Sequence, residues 1–392
     1  MKTLIRNGTI IDGTGESPTK GDILVIDDTI AEIEAGISVK DSVDREIDAD
    51  GMWVLPGFIN CHVHFSLNAS PHPMNDMVKT DSYTLAIQGA QIAKQMLKAG
   101  ITTVRDMGSK HFEVLSLRNS INQGSISGPR IVAPGQALLM TGGHFSGLEV
   151  NGVSACLAGA RSQLHAGADF IKVMATGGLG KPDEIPGAQE LTFDELKACF
   201  DVARMAGKKS GAHAHGLEGI KDIIRAGVSS VEHGTMMDEE SMEMMIERKT
   251  YLVPTFAPYW FMLEQGKEKN VPEYMIISSR WVMDEKIPRF RKAVEKGVPI
   301  AFGTDGGSPI NPHDNLEVEC RCMIDGGMSP MDVIVSMTRN AADLLGLGEK
   351  VGTLSPGKLA DIVILKDNPL EDIGYLVRIA EVLKNGRSVS AR

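Results

Sequence analysis

A (β/α)8 TIM barrel with a small discontinuous β-sandwich domain is the α/β fold this sequence predicts, and three observations predict it. Eight short apolar runs with strand character alternate with helix-period segments through the middle of the chain, the signature of βα units around a parallel sheet. Both chain ends are rich in short strand-like runs broken by turn residues. His62, His64, Lys172, His213, His233 and Asp305 each fall at or just past the end of one of the apolar runs, which is where a barrel of this kind gathers its chemistry.

Residues 1–56 read as strands at 3–6 and 9–11, a turn at Gly13-Thr14-Gly15, a strand at 22–26 and, after Asp27-Asp28, another at 30–33. The pattern returns at 361–365 and 382–386, so residues 1–56 and 353–392 are expected to build one β-sandwich domain around a barrel of residues 57–352. The expected barrel strands are 57–60, 102–106, 130–133, 170–174, 210–213, 230–233, 251–254 and 299–303, and eight is the number that closes such a barrel. Residues 86–98 carry Ile87, Ile92, Ala93, Met96 and Leu97 at helical spacing and stop at Ala99-Gly100. Thr192-Phe193-Asp194-Glu195 opens a further helix as a capping box.

At 392 residues the chain exceeds the usual single domain and has ample volume for a large core. The cysteines are Cys61, Cys156, Cys199, Cys320 and Cys322, an odd number, and the Cys320-Arg321-Cys322 pair lacks a matching partner pair. They read as free thiols in a reducing compartment, without a metal role. The first residues turn polar before a long apolar stretch can form, and no run reaches membrane length, so a soluble cytoplasmic protein is expected. The net charge of −11 is scattered and without basic clusters, which disfavours nucleic acid or an anionic membrane as partner.

Side chains of an extended chain alternate faces, so His62 and His64 point the same way and can grip one metal ion through neutral imidazole nitrogens. His213 and His233 close later strands and would hold a second ion nearby. Lys172 is the odd member, because a protonated amine repels a divalent cation. Carbamylation by carbon dioxide would remove its charge, add two oxygens and let it bridge two metals; otherwise it is a buried partner of a neighbouring acid. Asp305, in Gly303-Thr304-Asp305-Gly306-Gly307, is placed to bind the first metal and shuttle a proton. Two divalent ions sharing one water would supply hydroxide at neutral pH, with one ion polarising the carbonyl under attack.

These residues resemble the amidohydrolase superfamily over nearly the whole chain. The strings that carry the resemblance are Leu55-Pro56-Gly57-Phe58-Ile59-Asn60-Cys61-His62-Val63-His64, the positions Lys172, His213, His233 and Asp305, and Ser355-Pro356-Gly357-Lys358-Leu359-Ala360-Asp361. Thr102-Thr103-Val104-Arg105-Asp106, Thr141-Gly142-Gly143-His144, residues 172–178, Ala212-His213-Ala214-His215-Gly216 and Glu232-His233-Gly234 are similar to the imidazolonepropionase-related branch with its prolidase-like carboxypeptidases. The resemblance implies a binuclear zinc site bridged by carbamylated Lys172, with His62, His64 and Asp305 on one ion and His213 and His233 on the other. It also implies hydrolysis of an amide-type bond.

His213 is chosen over His215 as ligand because it matches the first histidine of the family string. The resemblance gives His144 a contact to substrate or to its tetrahedral oxyanion, and His215 a substrate contact or a packing role. Tyr259 and Trp260, after the seventh strand, line or cover the pocket or pack helix on barrel. His72, His111, His165 and His313 receive no role, and Gly177-Gly178-Leu179-Gly180 reads as the loop after the fourth strand.

The leading expectation is therefore a metal-dependent hydrolase of dipeptides, Xaa-Pro or other, or of N-acyl amino acids. Opening of a cyclic amide and deamination are the alternatives. Many deaminases of the superfamily use one metal and dispense with the lysine, so Lys172 argues for two. A scaffold protein would have lost ligands. The metal is open among zinc, manganese, cobalt and iron. The family habit and the methionines between Met236 and Met245 point to a homo-oligomer.

Overall fold

In the computed structural model, which describes residues 1–39, 42–180, 182 and 184–389, the chain ends meet in one sheet. Residues 390–392 of the C-terminal segment lie outside the described residues. The strand Lys2–Ile10 pairs antiparallel with Thr19–Ile26, which pairs with Thr29–Glu34. On its other edge Lys2–Ile10 meets both Arg45–Asp48 and Trp53–Pro56. Trp53–Pro56 then pairs antiparallel with Ile362–Leu365, and that strand with Ile379–Lys384. The hydrogen bonding is continuous through the fork, and alternate residues Ile5, Ile23, Val25, Ile362, Ile364 and Leu383 share one buried cluster.

Two expected strands at 3–6 and 9–11 are one. Asn7 adopts a φ of 61°, and the register with Thr19–Ile26 shifts between Ile5 and Gly8. A single residue in the left-handed region makes a bulge, so the polar Arg6-Asn7-Gly8 interruption bends the strand without ending it.

The middle of the chain forms the barrel. Phe58–Val63, Ile101–Asp106 and Arg130–Val132 run parallel in one sheet. Phe170–Met174, Lys209–Ala214, Ser230–His233 and Tyr251–Val253 run parallel in another. The third and fourth positions are joined by Asp169, whose N–H donates to the carbonyl of Ala133 at 2.8 Å, and by Leu138 bridging to Val173.

The eighth position differs from expectation. Residues 299–303 form no ladder; they make isolated parallel bridges, Ile300 with Leu252 and, further on, Gly306 with Val63. The Cys61 N–H donates to the Phe302 carbonyl at 2.8 Å and the Ala301 N–H to the Leu252 carbonyl at 3.0 Å, so the segment still closes the ring between the first and seventh strands. Gly303 shows why the fit is close: a Cβ there would lie 2.4 Å from a Val253 methyl and 2.9 Å from the His62 Cβ.

Helices cover the barrel. Ser82–Lys98 starts earlier than the apolar periodicity implied, because Asp81 caps it by accepting from the N–H groups of Tyr83 and Thr84. Phe193–Met205 opens with the expected Thr192–Glu195 capping box. Of the methionines from Met236 to Met245, Met237, Met242 and Met245 are buried in the chain's own core and Met236 and Met244 are half-buried. All five cysteines are free. Among the described residues no helix is long and apolar enough to cross a membrane.

Candidate metal centre

The carboxyl ends of the barrel strands bring the sequence-selected residues into one cavity: His62, His64, Lys172, His213, His233 and Asp305, with His144, His215 and Tyr259 around them. Two groups within it have the donor spacing a metal needs. His62, His64 and Asp305 offer ligand atoms within 4.8 Å of one another, and so do His213, His215 and His233. Asp305 Oδ1 lies 3.5 Å from His62 Nε2 and 3.3 Å from His64 Nε2. The His62 and His233 ring centres are 5.1 Å apart, so the two groups adjoin.

The ring nitrogens facing away from the cavity are held. His62 Nδ1 lies 2.9 Å from Glu232, His215 Nδ1 2.7 Å from the Thr235 hydroxyl, and His233 Nδ1 2.6 Å from the Thr255 hydroxyl. Such contacts fix the tautomer and aim the opposite nitrogen inward. Three residues at the strand ends take left-handed backbone conformations, His233 at φ 71°, Thr255 at 52° and Asp305 at 55°. A β-branched residue such as Thr255 rarely does so, and backbone strain of this kind gathers at functional sites.

Electrostatics favour neutral imidazoles. Burial lowers the His62 pKa to about 4 and those of His213, His215 and His233 well below the ordinary value. Burial pushes Asp305 upward, but His62, His64 and Lys172 outweigh it and hold the carboxylate ionised. Lys172 is 1% exposed, and burial lowers its pKa to about 8 in spite of Glu232 and Asp305. Glu232 is the fixed charge beneath the site: burial opposes its ionisation, yet Arg105 and His62 lower it to about 2.

The residues fit a metal pair. His213 Nε2 is buried with no hydrogen-bond partner, an orphaned acceptor in a cluster of uncharged imidazoles. His213 stands edge-on to His215 and to His233, with interplanar angles of 82° and 70°, whereas His215 and His233 are stacked at 14°. Stacked rings hold their in-plane lone pairs in near-parallel planes, so His213 with His233 converges better on one ion than His215 with His233.

His144 stacks on His213, with centroids 4.3 Å apart, and its Nδ1 is 2.8 Å from Glu184. Glu184 also accepts the N–H groups of Gly178 and Gly180, so the glycine loop after the fourth strand and His144 share one anchor. A Cβ on Gly178 would lie 2.1 Å from His144 Cε1. The Tyr259 ring is 6.4 Å from that of His215 and lines the cavity, while Trp260 does not. Much of the remaining wall is apolar, from Leu67, Met74, Phe145, Leu179, Met262 and Met275, with His72, Asn75, Tyr274 and Ser308 among them.

Some contributors escaped the sequence reading. His72 lines the cavity. His313 is buried, with Nε2 2.9 Å from the His64 carbonyl. Glu232 was visible only as part of a string, and Glu184 and Thr255 carried no signal, because each acts on a residue distant in sequence.

A parallel barrel with two candidate metal-ligand groups at the carboxyl ends of its strands is an arrangement suited to metal-assisted chemistry. The amidohydrolase family model matches residues 53–389, and the chain belongs to that family. It is 31% identical over 408 residues to the ochratoxinase of Aspergillus niger, covering 95% of this chain and 82% of that one. It is 25% identical over 359 residues to the imidazolonepropionase of Pseudomonas putida, covering 85% and 84%. Its fold is similar to the crystal structure of a Xaa-Pro dipeptidase with bound methionine, at 36% identity and a TM-score of 0.92 over 99% of both chains.

Proposed function

We propose that the protein is a binuclear metal-dependent hydrolase that cleaves the amide carbon–nitrogen bond of small substrates, dipeptides of the Xaa-Pro or another type, or N-acyl amino acids. The observation that carries the reading is the pair of adjoining ligand groups on one rim, His62 with His64 and Asp305, and His213 with His233, beside a buried Lys172. The similarity to a Xaa-Pro dipeptidase over the full length favours a linear amide over the cyclic amide of an imidazolonepropionase.

His62, His64 and Asp305 would hold one ion, His213 and His233 the other, and Lys172 as its carbamate would serve both. The family is commonly zinc-dependent, and zinc suits this mixture of imidazole and carboxylate. When bound, the ions would lower the pKa of water and polarise the substrate carbonyl. Asp305, kept ionised by its histidine neighbours, accepts the proton of the attacking water and delivers it to the departing amine. His144, anchored by Glu184, faces the same cavity and donates to the oxygen that gains charge. Tyr259 and His215 line the same cavity and contact substrate there. Leu67, Met74, Phe145 and Met262 exclude water and receive apolar substituents. Five free thiols, four of them buried, support a reducing working compartment, the cytoplasm.

The test is a hydrolysis screen over dipeptides and N-acyl amino acids, with the metal content of the same preparation measured in parallel. Turnover with about two ions per chain, abolished by Lys172→Ala, is the expected result. Two ions without turnover would move the substrate to a cyclic amide or a carbamate, and no metal uptake in the presence of bicarbonate would overturn the mechanism.

A further inference from the structure

The turn after the seventh barrel strand carries two parts of the site, and two buried titratable side chains outside the cavity grip it from behind. Thr255 opens the turn in its left-handed conformation, with its hydroxyl against His233 Nδ1. Two residues on, Ala257 begins the helix Ala257–Gln265 that presents Tyr259 to the cavity. Lys286, 2% exposed, reaches in from the helix Glu273–Lys296; its Nζ donates to the Thr255 carbonyl at 3.2 Å. The same ammonium stands 5.0 Å from the centre of the Phe256 ring and 4.7 Å from that of Tyr259. Glu319, fully buried on the helix Glu317–Asp325, accepts the Ala257 N–H at 2.7 Å, and its second oxygen has no hydrogen-bond partner.

Two features make this more than packing. Two titratable side chains taken out of water cost more than apolar side chains of the same shape, so their burial is weak evidence for stability alone. A β-branched residue persists in the left-handed region only where its surroundings over-determine it. Here the surroundings that grip Thr255–Ala257 are these two side chains, and what the turn determines is the aim of the His233 ring and the place of Tyr259.

We propose that Lys286 and Glu319 are positioning residues that act through the Thr255–Ala257 turn, fixing the Thr255 hydroxyl against His233 and Tyr259 against the substrate. The inference rests on the binuclear reading above, in which His233 holds the second ion. Neither residue lines the cavity, so neither touches the reacting atoms.

The experiment loads wild type, Lys286→Met, Glu319→Gln, Thr255→Val and Thr255→Ser with Zn2+ and follows release of each ion to a chelator, alongside kcat and KM on the substrate found by the screen. Lys286→Met and Glu319→Gln are expected to speed release of one ion by about tenfold and leave the other unchanged, the scale of a lost ligand-orienting contact. In both, kcat falls more than KM rises. Thr255→Val affects the same ion, Thr255→Ser restores wild-type release, and the Lys286→Met, Thr255→Val double variant loses no more than the worse single variant, because the two act in series. Release at the wild-type rate from both charge variants overturns the clamp, as does full additivity in the double variant. If Lys286→Met does not fold, Glu319→Gln decides alone. A wild type that binds no second ion overturns the binuclear reading and the clamp with it, whereas two ions with unaffected variants overturn the clamp only.

Discussion

His62 Nδ1 and Glu232 Oε2 lie 2.9 Å apart, and neither side chain is more than 2% exposed. The other oxygen of Glu232 accepts from Arg105 at 2.8 Å and from the Ser230 hydroxyl at 2.5 Å, and Arg105 also donates to the Cys61 carbonyl at 2.7 Å. The chain Arg105–Glu232–His62 therefore links the first, second and sixth barrel strands beneath the first ligand group. Glu232→Gln keeps the shape but surrenders the charge that orients His62. The expected outcome is a loss of about 10- to 100-fold in affinity at that group, measured by chelator competition. Arg105→Met leaves a buried carboxylate unpaired, and denaturant unfolding of the metal-free protein should show a loss of roughly 3–5 kcal/mol.

Lys172 must be a free amine to react with carbon dioxide, and the carbamate forms with release of a proton. Burial lowers its pKa to about 8, so the neutral fraction rises as pH rises through that value. With a pKa of 8, about one amine in ten is neutral at pH 7 and about nine in ten at pH 9. Reactivation of metal-stripped protein, at fixed dissolved carbon dioxide and saturating Zn2+, should therefore accelerate about tenfold from pH 7 to pH 9 and level off above. A rate that is flat in pH, or that ignores carbon dioxide, would remove the carbamate from the mechanism.

The second ligand group contains three histidines where the sequence reading chose two. His213 Nε2 lacks a partner and its ring is edge-on to both neighbours, whereas His215 is stacked on His233. His213→Ala is expected to retain about one ion per chain, and His215→Ala to retain two with a raised KM. Metal analysis of the two purified variants distinguishes them, and the reverse result would exchange the roles of these residues.

Why the sequence revealed one part of the site and hid another follows from how each residue acts. His62 and His64 are legible because alternation on a strand is local, Lys172 because it interrupts an apolar run, and His213 and His233 because each stands at the end of one. The barrel was legible for the same reason, apart from the eighth position, where residues 299–303 meet the seventh strand through one isolated bridge and the first through the hydrogen bond from Cys61 to Phe302. Asn7 hid a continuous strand because a bulge and a turn use the same residue types. Glu184, Thr255, Lys286 and Glu319 left no pattern, since each reaches a partner or a turn far along the chain. His313 received no role, yet its Nε2 lies 2.9 Å from the His64 carbonyl.

Glu184 gives the last test. Burial opposes its ionisation, but the contact with His144 and the N–H groups of Gly178 and Gly180 prevail and lower its pKa to about 2. The carboxylate is thus charged throughout the working range, and it holds the His144 ring and the glycine loop in one arrangement. If His144 donates to the developing oxyanion, Glu184→Gln loosens the donor without touching a metal ligand. Its kcat should fall by about tenfold with two ions still bound, and His144→Ala should lose about 100-fold or more, the range for removal of one such donor. A fall in metal content instead would mean that His144 supports His213, on which it stacks at 4.3 Å, and that its part in the reaction is indirect.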